Sequence, residues 1–326
     1  MEPIKRIPYP YQALKLHEQI ELLVQKGLLI SDPAAVKYWL SHNSYLRFKH
    51  YSLEFKDYKN NNGNYIPETT FEKVRDLYFF DRKLRVSVFE ALDNIEISIK
   101  THISNIMSGT YGPHWYLDPQ HFISSNEKYK LTKKRKHKYK YSGGFNHEKF
   151  ILKLRRGLNH CFEPFFKHYK KNYEPIYPPS WIAMEVLTFG TVSLMFENLI
   201  PSAEKKQICE AFDLPKKVLI SWLHCFTSIR NRCAHHNKLV YTRFNFAPLM
   251  VKSPRREFLA ANNVDHTSLY AILSCIQYML NICNNDSPFK YDLLRLFQKF
   301  PEISFNRLGF TSNWKAEKIW ALHHHL

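Results

Sequence analysis

Apolar residues recur at three- and four-residue steps along nearly the whole chain, and only nine glycines interrupt them. That period predicts an all-α protein with little sheet. Leu16, Ile20, Leu23 and Val24 mark a first helix that stops at Gly27. Ser31, Asp32 and Pro33 open a second, short one containing Trp39 and Leu40, because a capping residue followed by proline is a start signal. The run from Asn60 to Asn64 reads as an exposed, Asn-rich loop. From Phe71 the positions Val74, Leu77, Leu84, Val88, Leu92, Ile95, Ile99, Ile103 and Ile106 predict the longest helix. A Thr69/Glu72 capping box opens it, a kink is expected near Asp81, and Gly109 closes it. Its opposite face carries Arg82, Arg85, Glu96 and Lys100, the make-up of a solvated surface.

Beyond an aromatic turn at Tyr111 to Tyr116, helical spacing resumes through Phe150, Leu154, Leu158, Phe162, Phe166 and Tyr169. A further helix starts near Trp181 after Pro178 and Pro179, is interrupted at Thr188 to Gly190, and is separated by Pro201 and Ser202 from a short segment ending at Phe212. Val218, Leu219, Trp222, Leu223, Phe226, Ile229 and Cys233 then line one face of a strongly patterned helix. Asp213 and Pro215 stand as its start and Asn237 as its left-handed stop. Two or three more helices are expected after Pro248, one from Leu269 to Cys283 and another after Pro288. These readings divide the chain into an N-terminal helical segment (1–66), a helical core (67–250) with a basic insertion at about 126–146, and a C-terminal extension (251–326).

Charge narrows the partner. Lys and Arg number 47 against 29 Asp and Glu, a formal net charge of +18, which favours a polyanion such as RNA, DNA or an anionic membrane surface. The basic residues concentrate in Lys128, Lys130, Lys133, Lys134, Arg135, Lys136, Lys138 and Lys140, with Tyr129, His137 and Tyr139 among them. Such a segment suits an arm that grips phosphates and stacks bases; a solvated insertion without a ligand is the plainer alternative. No apolar run is long enough to span a bilayer and the N-terminus lacks a signal-peptide pattern, so a cytoplasmic protein is expected. Six cysteines without a Cys-x2-Cys pair read as reduced core residues, and neither a metal nor a cofactor is expected. The terminal His323 to His325 read as incidental.

The candidate chemistry sits at the end of the patterned helix, in Arg230, Asn231 and His235, beside a polar row of His224, Ser228, Asn231 and His235. RNA carries its own nucleophile in the 2′-hydroxyl, so a cleaving protein needs proton transfer and a cation against the phosphoryl oxygens. His235 can supply the first, Arg230 the second, and Asn231 can orient the imidazole or bond the phosphate. A helix C-terminus favours the protonated imidazole. Arg230 and His235 are separated by about 7.5 Å along a helix and roughly 140° around it, so one copy makes a loose site. Two copies across a two-fold axis would complete it, which predicts a homodimer. Arg and His near a helix end also serve simply to satisfy terminal carbonyls.

The ordered set of marks from Gly27-Leu28, through Thr70-Phe71-Glu72, Leu77 to Arg85, Ile95-Glu96, Tyr111-Gly112, Trp115-Tyr116, His168-Tyr169, Pro178 to Trp181 with Glu185 and Phe189-Gly190, to Arg230-Asn231 and Cys233 to His236 resembles the AbiD/AbiF type of abortive-infection proteins, a bacterial phage-defence group within the HEPN superfamily. The resemblance spans roughly residues 10 to 250. It implies an all-α HEPN core, metal-independent endoribonuclease activity on RNA, a site assembled by a homodimer and, in similar proteins, restraint by a small structured non-coding RNA. Carried onto this sequence, Arg230 and His235 are catalytic and Asn231 supports them. Glu96, Arg232 and His236 are weaker supporting candidates, and Lys100 stands where relatives often have Arg. A non-catalytic protein that sequesters a structured RNA is the second reading, and a membrane-surface effector using the basic arm the third.

Overall fold

The computed structural model describes residues 12–60, 63–123, 145–251, 254–260 and 264–321. Within them the fold is all-α, with one two-stranded antiparallel ribbon, Lys56–Asp57 against Asn64–Tyr65, as its only regular sheet. The chain divides into two units, residues 1–83 and 84–326.

The first unit contains α1 (Leu16–Gln25), α2 (Pro33–Asn43), α3 (Tyr45–Ser52), the ribbon and the first turns of α4 (Phe71–Tyr111). Helix α1 ends as its glycine predicts. Gly27 takes φ +85°, its N–H donates to the Val24 carbonyl, and the Leu28 N–H donates to that of Leu23, the paired bonds of a Schellman turn. Asp32 caps α2 by accepting from the N–H groups of Ala34 and Ala35, and Pro33 takes the first helical position. The core joins α2, α3 and α4 through packed aromatic rings. Trp39 meets Tyr78 edge-to-face at 5.4 Å and Phe71 at 5.7 Å, while Phe48 stacks on Phe71 at 4.9 Å. Beneath them the Tyr51 hydroxyl donates to the fully buried Asp81 carboxylate at 2.6 Å.

Helix α4 runs unbroken past Asp81 for 41 residues. Its start and stop differ slightly from the sequence reading. Thr70, not Thr69, caps it by accepting from the Lys73 N–H, while the Thr69 hydroxyl turns back to the Ile66 carbonyl. Gly109 lies inside the helix and the left-handed residue that follows its end is Gly112, φ +81°, because only there must the chain reverse toward the buried Trp115 and Tyr116. The supposed solvated face is also partly internal: Arg82 is exposed, but Arg85 and Glu96 are buried.

In the second unit, α4 continues with α5 (His147–Asn159), α6 (Pro164–Asn172), α7 (Ser180–Ala183), α8 (Phe189–Asn198), α9 (Ala203–Ala211), α10 (Lys216–Ala234), α11 (Leu269–Cys283) and α12 (Phe289–Lys299). Every residue of α11 from Leu269 to Leu280 is buried, as expected of a helix apolar all round. No helix of the described residues is long and apolar enough to cross a membrane. Helix α10 packs most extensively on α8 and also meets α9 and α11. All seven apolar positions that define its patterned face are buried. The proline at Pro215 precedes its first turn, but Asp213 is no cap: it takes φ +50° and pairs with Arg256 and Arg255.

Candidate functional site

The turn after α10 sets the geometry of the site. The His235 N–H donates to the Asn231 carbonyl, that of His236 to Cys233, and that of Asn237 to Arg232. The last two are again Schellman bonds, and the left-handed residue is His236, φ +58°, one position before the expected Asn237. The reversal leaves the Asn231, His235 and His236 side chains exposed.

Four residues before the helix end, Arg230 faces α4. Its Nε lies 4.0 Å from Oε2 of Glu96, and its guanidinium sits over the Phe89 ring, 5.2 Å from the centroid, within cation–π range. Glu96 is shared, since the Lys100 Nζ reaches its Oε1 at 2.8 Å. Two cations on one mostly buried carboxylate leave a net positive cluster. The Arg230 side chain is 35% exposed, so it stays partly open to solvent while its guanidinium covers Phe89 and turns its Nε edge toward Glu96.

The structure thus brings together Arg230, Glu96, Lys100 and Phe89, with Asn231 as the next residue along the helix. Lys100 enters through its four-residue spacing from Glu96, a signal present in the sequence. Phe89 lies seven residues before Glu96, two turns along α4, and belongs to the same side by the helical period alone. Arg232 goes elsewhere. It donates from Nη2 to the Lys238 carbonyl at 3.0 Å and stacks over Phe244 at 5.5 Å, so it braces the turn. The polar row is partly structural too: the His224 Nε2 contacts Oε2 of Glu197 on α8 at 3.0 Å, and the Ser228 hydroxyl donates to the His224 carbonyl. Glu197 had no sequence signal, because its partner lies on another helix. The basic segment Lys128 to Lys140 and His323 to His325 lie outside the described residues.

No disulfide joins the six cysteines, and burial pushes the Cys225 and Cys275 thiols well up. Among the described residues no cluster of three or more His, Cys, Asp or Glu is arranged to hold a metal.

A protein family described as Abi-like protein matches residues 38–241, a span that takes in α4, α10 and every candidate residue from Glu96 to His236. No curated protein and no solved structure matches the chain.

Proposed function

The chain belongs to the Abi-like protein family, and from that premise we propose that it acts in abortive infection, the bacterial defence against phage, as a metal-independent endoribonuclease with a HEPN-type core. The observation that carries this reading is the Arg230 side chain, 4.0 Å from the buried Glu96 carboxylate and partly open to solvent, on the same helix end as exposed Asn231 and His235. In the proposed reaction the 2′-oxygen of RNA attacks the adjacent phosphorus. His235 moves the proton, Arg230 offsets charge on the phosphoryl oxygens, and Asn231 orients either group. The P–O5′ bond breaks, leaving a 2′,3′-cyclic phosphate and a 5′-hydroxyl.

Within one copy, Arg230 and His235 diverge by about 140° around α10. A homodimer that presents two such helix ends to one phosphate would supply both groups, and the exposed Val86 and Ile97 on α4 offer apolar surface for it. A structured non-coding RNA that occupies the same groups would restrain the enzyme.

The test is cleavage of total RNA with end mapping, using Arg230→Ala and His235→Ala. Each should lower the cleavage rate by roughly 10²- to 10³-fold, the usual worth of a catalytic proton donor or charge stabiliser, while RNA affinity in a filter-binding assay stays near that of the parent. Cleavage that survives in both variants, or products carrying 3′-hydroxyl ends, would overturn the proposal. The divergence of the two groups within a single copy also favours a sequestering protein, for which neither the parent nor the variants would cut while all bind.

A further inference from the structure

A cleft of about 800 Å³ lies at the far end of α10 from Arg230, lined by one side of α9, the loop that follows it, the first residue of α10 and Arg255. Its walls are apolar where Pro201, Leu214 and Pro215 face it. Three exposed cations, Lys206, Lys216 and Arg255, stand around those walls. Two carboxylates also line it, and both are engaged: Glu210 lies 3.4 Å from Lys206, and Asp213 bonds Arg256 outside the cleft, with Arg255 at a looser 3.9 Å. Such exposed pairs hold weakly. Lys205, also in the lining, spends its buried ammonium on the carbonyls of Glu197 and Leu199 and so adds one more fixed positive charge behind the wall. The sum over Lys205, Lys206, Lys216 and Arg255 against Glu210 and Asp213 is positive.

Volume and lining together select the ligand. The cleft falls within the roughly 300–1,000 Å³ of small-molecule sites, which is far larger than an inorganic anion requires. An anion alone would leave the proline and leucine walls wetted, whereas a ligand with a flat apolar body and an anionic end fits both halves. We propose that this cleft binds a nucleoside phosphate, with the base against Pro201, Leu214 and Pro215 and the phosphate at Lys216 and Arg255. Pro215 provides no side-chain cap for α10, so the first N–H groups of that helix add to the same anionic preference. The nucleotide is either free in solution or an unpaired residue of an RNA. The inference stands on residues separate from Arg230 and His235, about 21 Å along the helix from Lys216 to Arg230 at 1.5 Å per residue.

Calorimetric titration of the full chain with AMP, GMP, ATP and inorganic phosphate, alongside anisotropy with a labelled 5′-phosphorylated RNA hexamer, tests it. Lys216→Glu and Arg255→Glu alter exposed side chains, and circular dichroism checks that both variants fold. Each should weaken binding by at least about tenfold, the worth of one charged hydrogen bond, and Arg230→Ala should leave the free-nucleotide titration unchanged. A loss with free nucleotides assigns a soluble ligand; a loss confined to the hexamer assigns an RNA residue. The proposal fails if the parent binds neither probe, if phosphate binds as well as AMP, or if both reversals leave affinity unchanged. Cleavage by these variants, read separately, bears on the ribonuclease alone.

Discussion

At the scale of single residues, the turn that closes α1 and the turn that closes α10 are the same motif with different residues at its left-handed position. Gly27 occupies one at φ +85°, His236 the other at φ +58°. A side chain there costs roughly 1–2 kcal/mol, although glycine gives back part of that in chain entropy. His236→Gly should therefore raise the unfolding free energy by roughly 0.5–1 kcal/mol net, measurable by urea titration, and a fall of that size would mean the imidazole anchors the turn. If the variant is more stable yet cuts RNA more slowly, His236 serves the chemistry. The sequence pointed to Asn237 because asparagine is the commoner left-handed residue. The turn instead forms one residue earlier, with the His236 and Asn237 N–H groups on the Cys233 and Arg232 carbonyls, a placement that no residue propensity records.

At the scale of elements, periodicity was a good guide wherever burial was one-sided. The boundaries of α11 are those read from the sequence, and the seven patterned positions of α10 are all internal. It misled on α4, where charged Arg85 and Glu96 looked like a wet face and are buried instead. A charge pattern cannot distinguish solvent from a partner helix, and for Glu96 that partner is Arg230, 134 positions later. The same internal packing governs the thiols. Cys225 on α10 and Cys275 on α11 are wholly enclosed, with ionisation pushed up by burial, so neither should react with iodoacetamide at about pH 8 in the folded chain. Mass-spectrometric labelling at either position before global unfolding would show that the α10–α11 contact opens locally.

For the molecule as a whole, a net charge of +18 makes salt the variable that reports on nucleic-acid contact. If the segment from Lys128 to Lys140 meets RNA phosphates, deleting residues 126–146 should flatten the slope of log affinity against log salt, by roughly 0.7–0.9 for each phosphate no longer neutralised; an unchanged slope would assign that segment to solvent. Class, helix order and the helix bearing Arg230 were legible from the sequence, since each rests on local spacing. The Glu96 anchor was legible only as a resemblance, and the cleft beside Lys216 not at all, because its walls come from stretches some forty residues apart that only folding brings together. One property of the α10 terminus bears on every experiment aimed at it. Main-chain donors answer the carbonyls of Asn231, Arg232 and Cys233, so the imidazole of His235 is not recruited to close the helix. Substitutions of His235 should leave folding intact, so a fall in activity at that one position can be read directly as a fault in the chemistry.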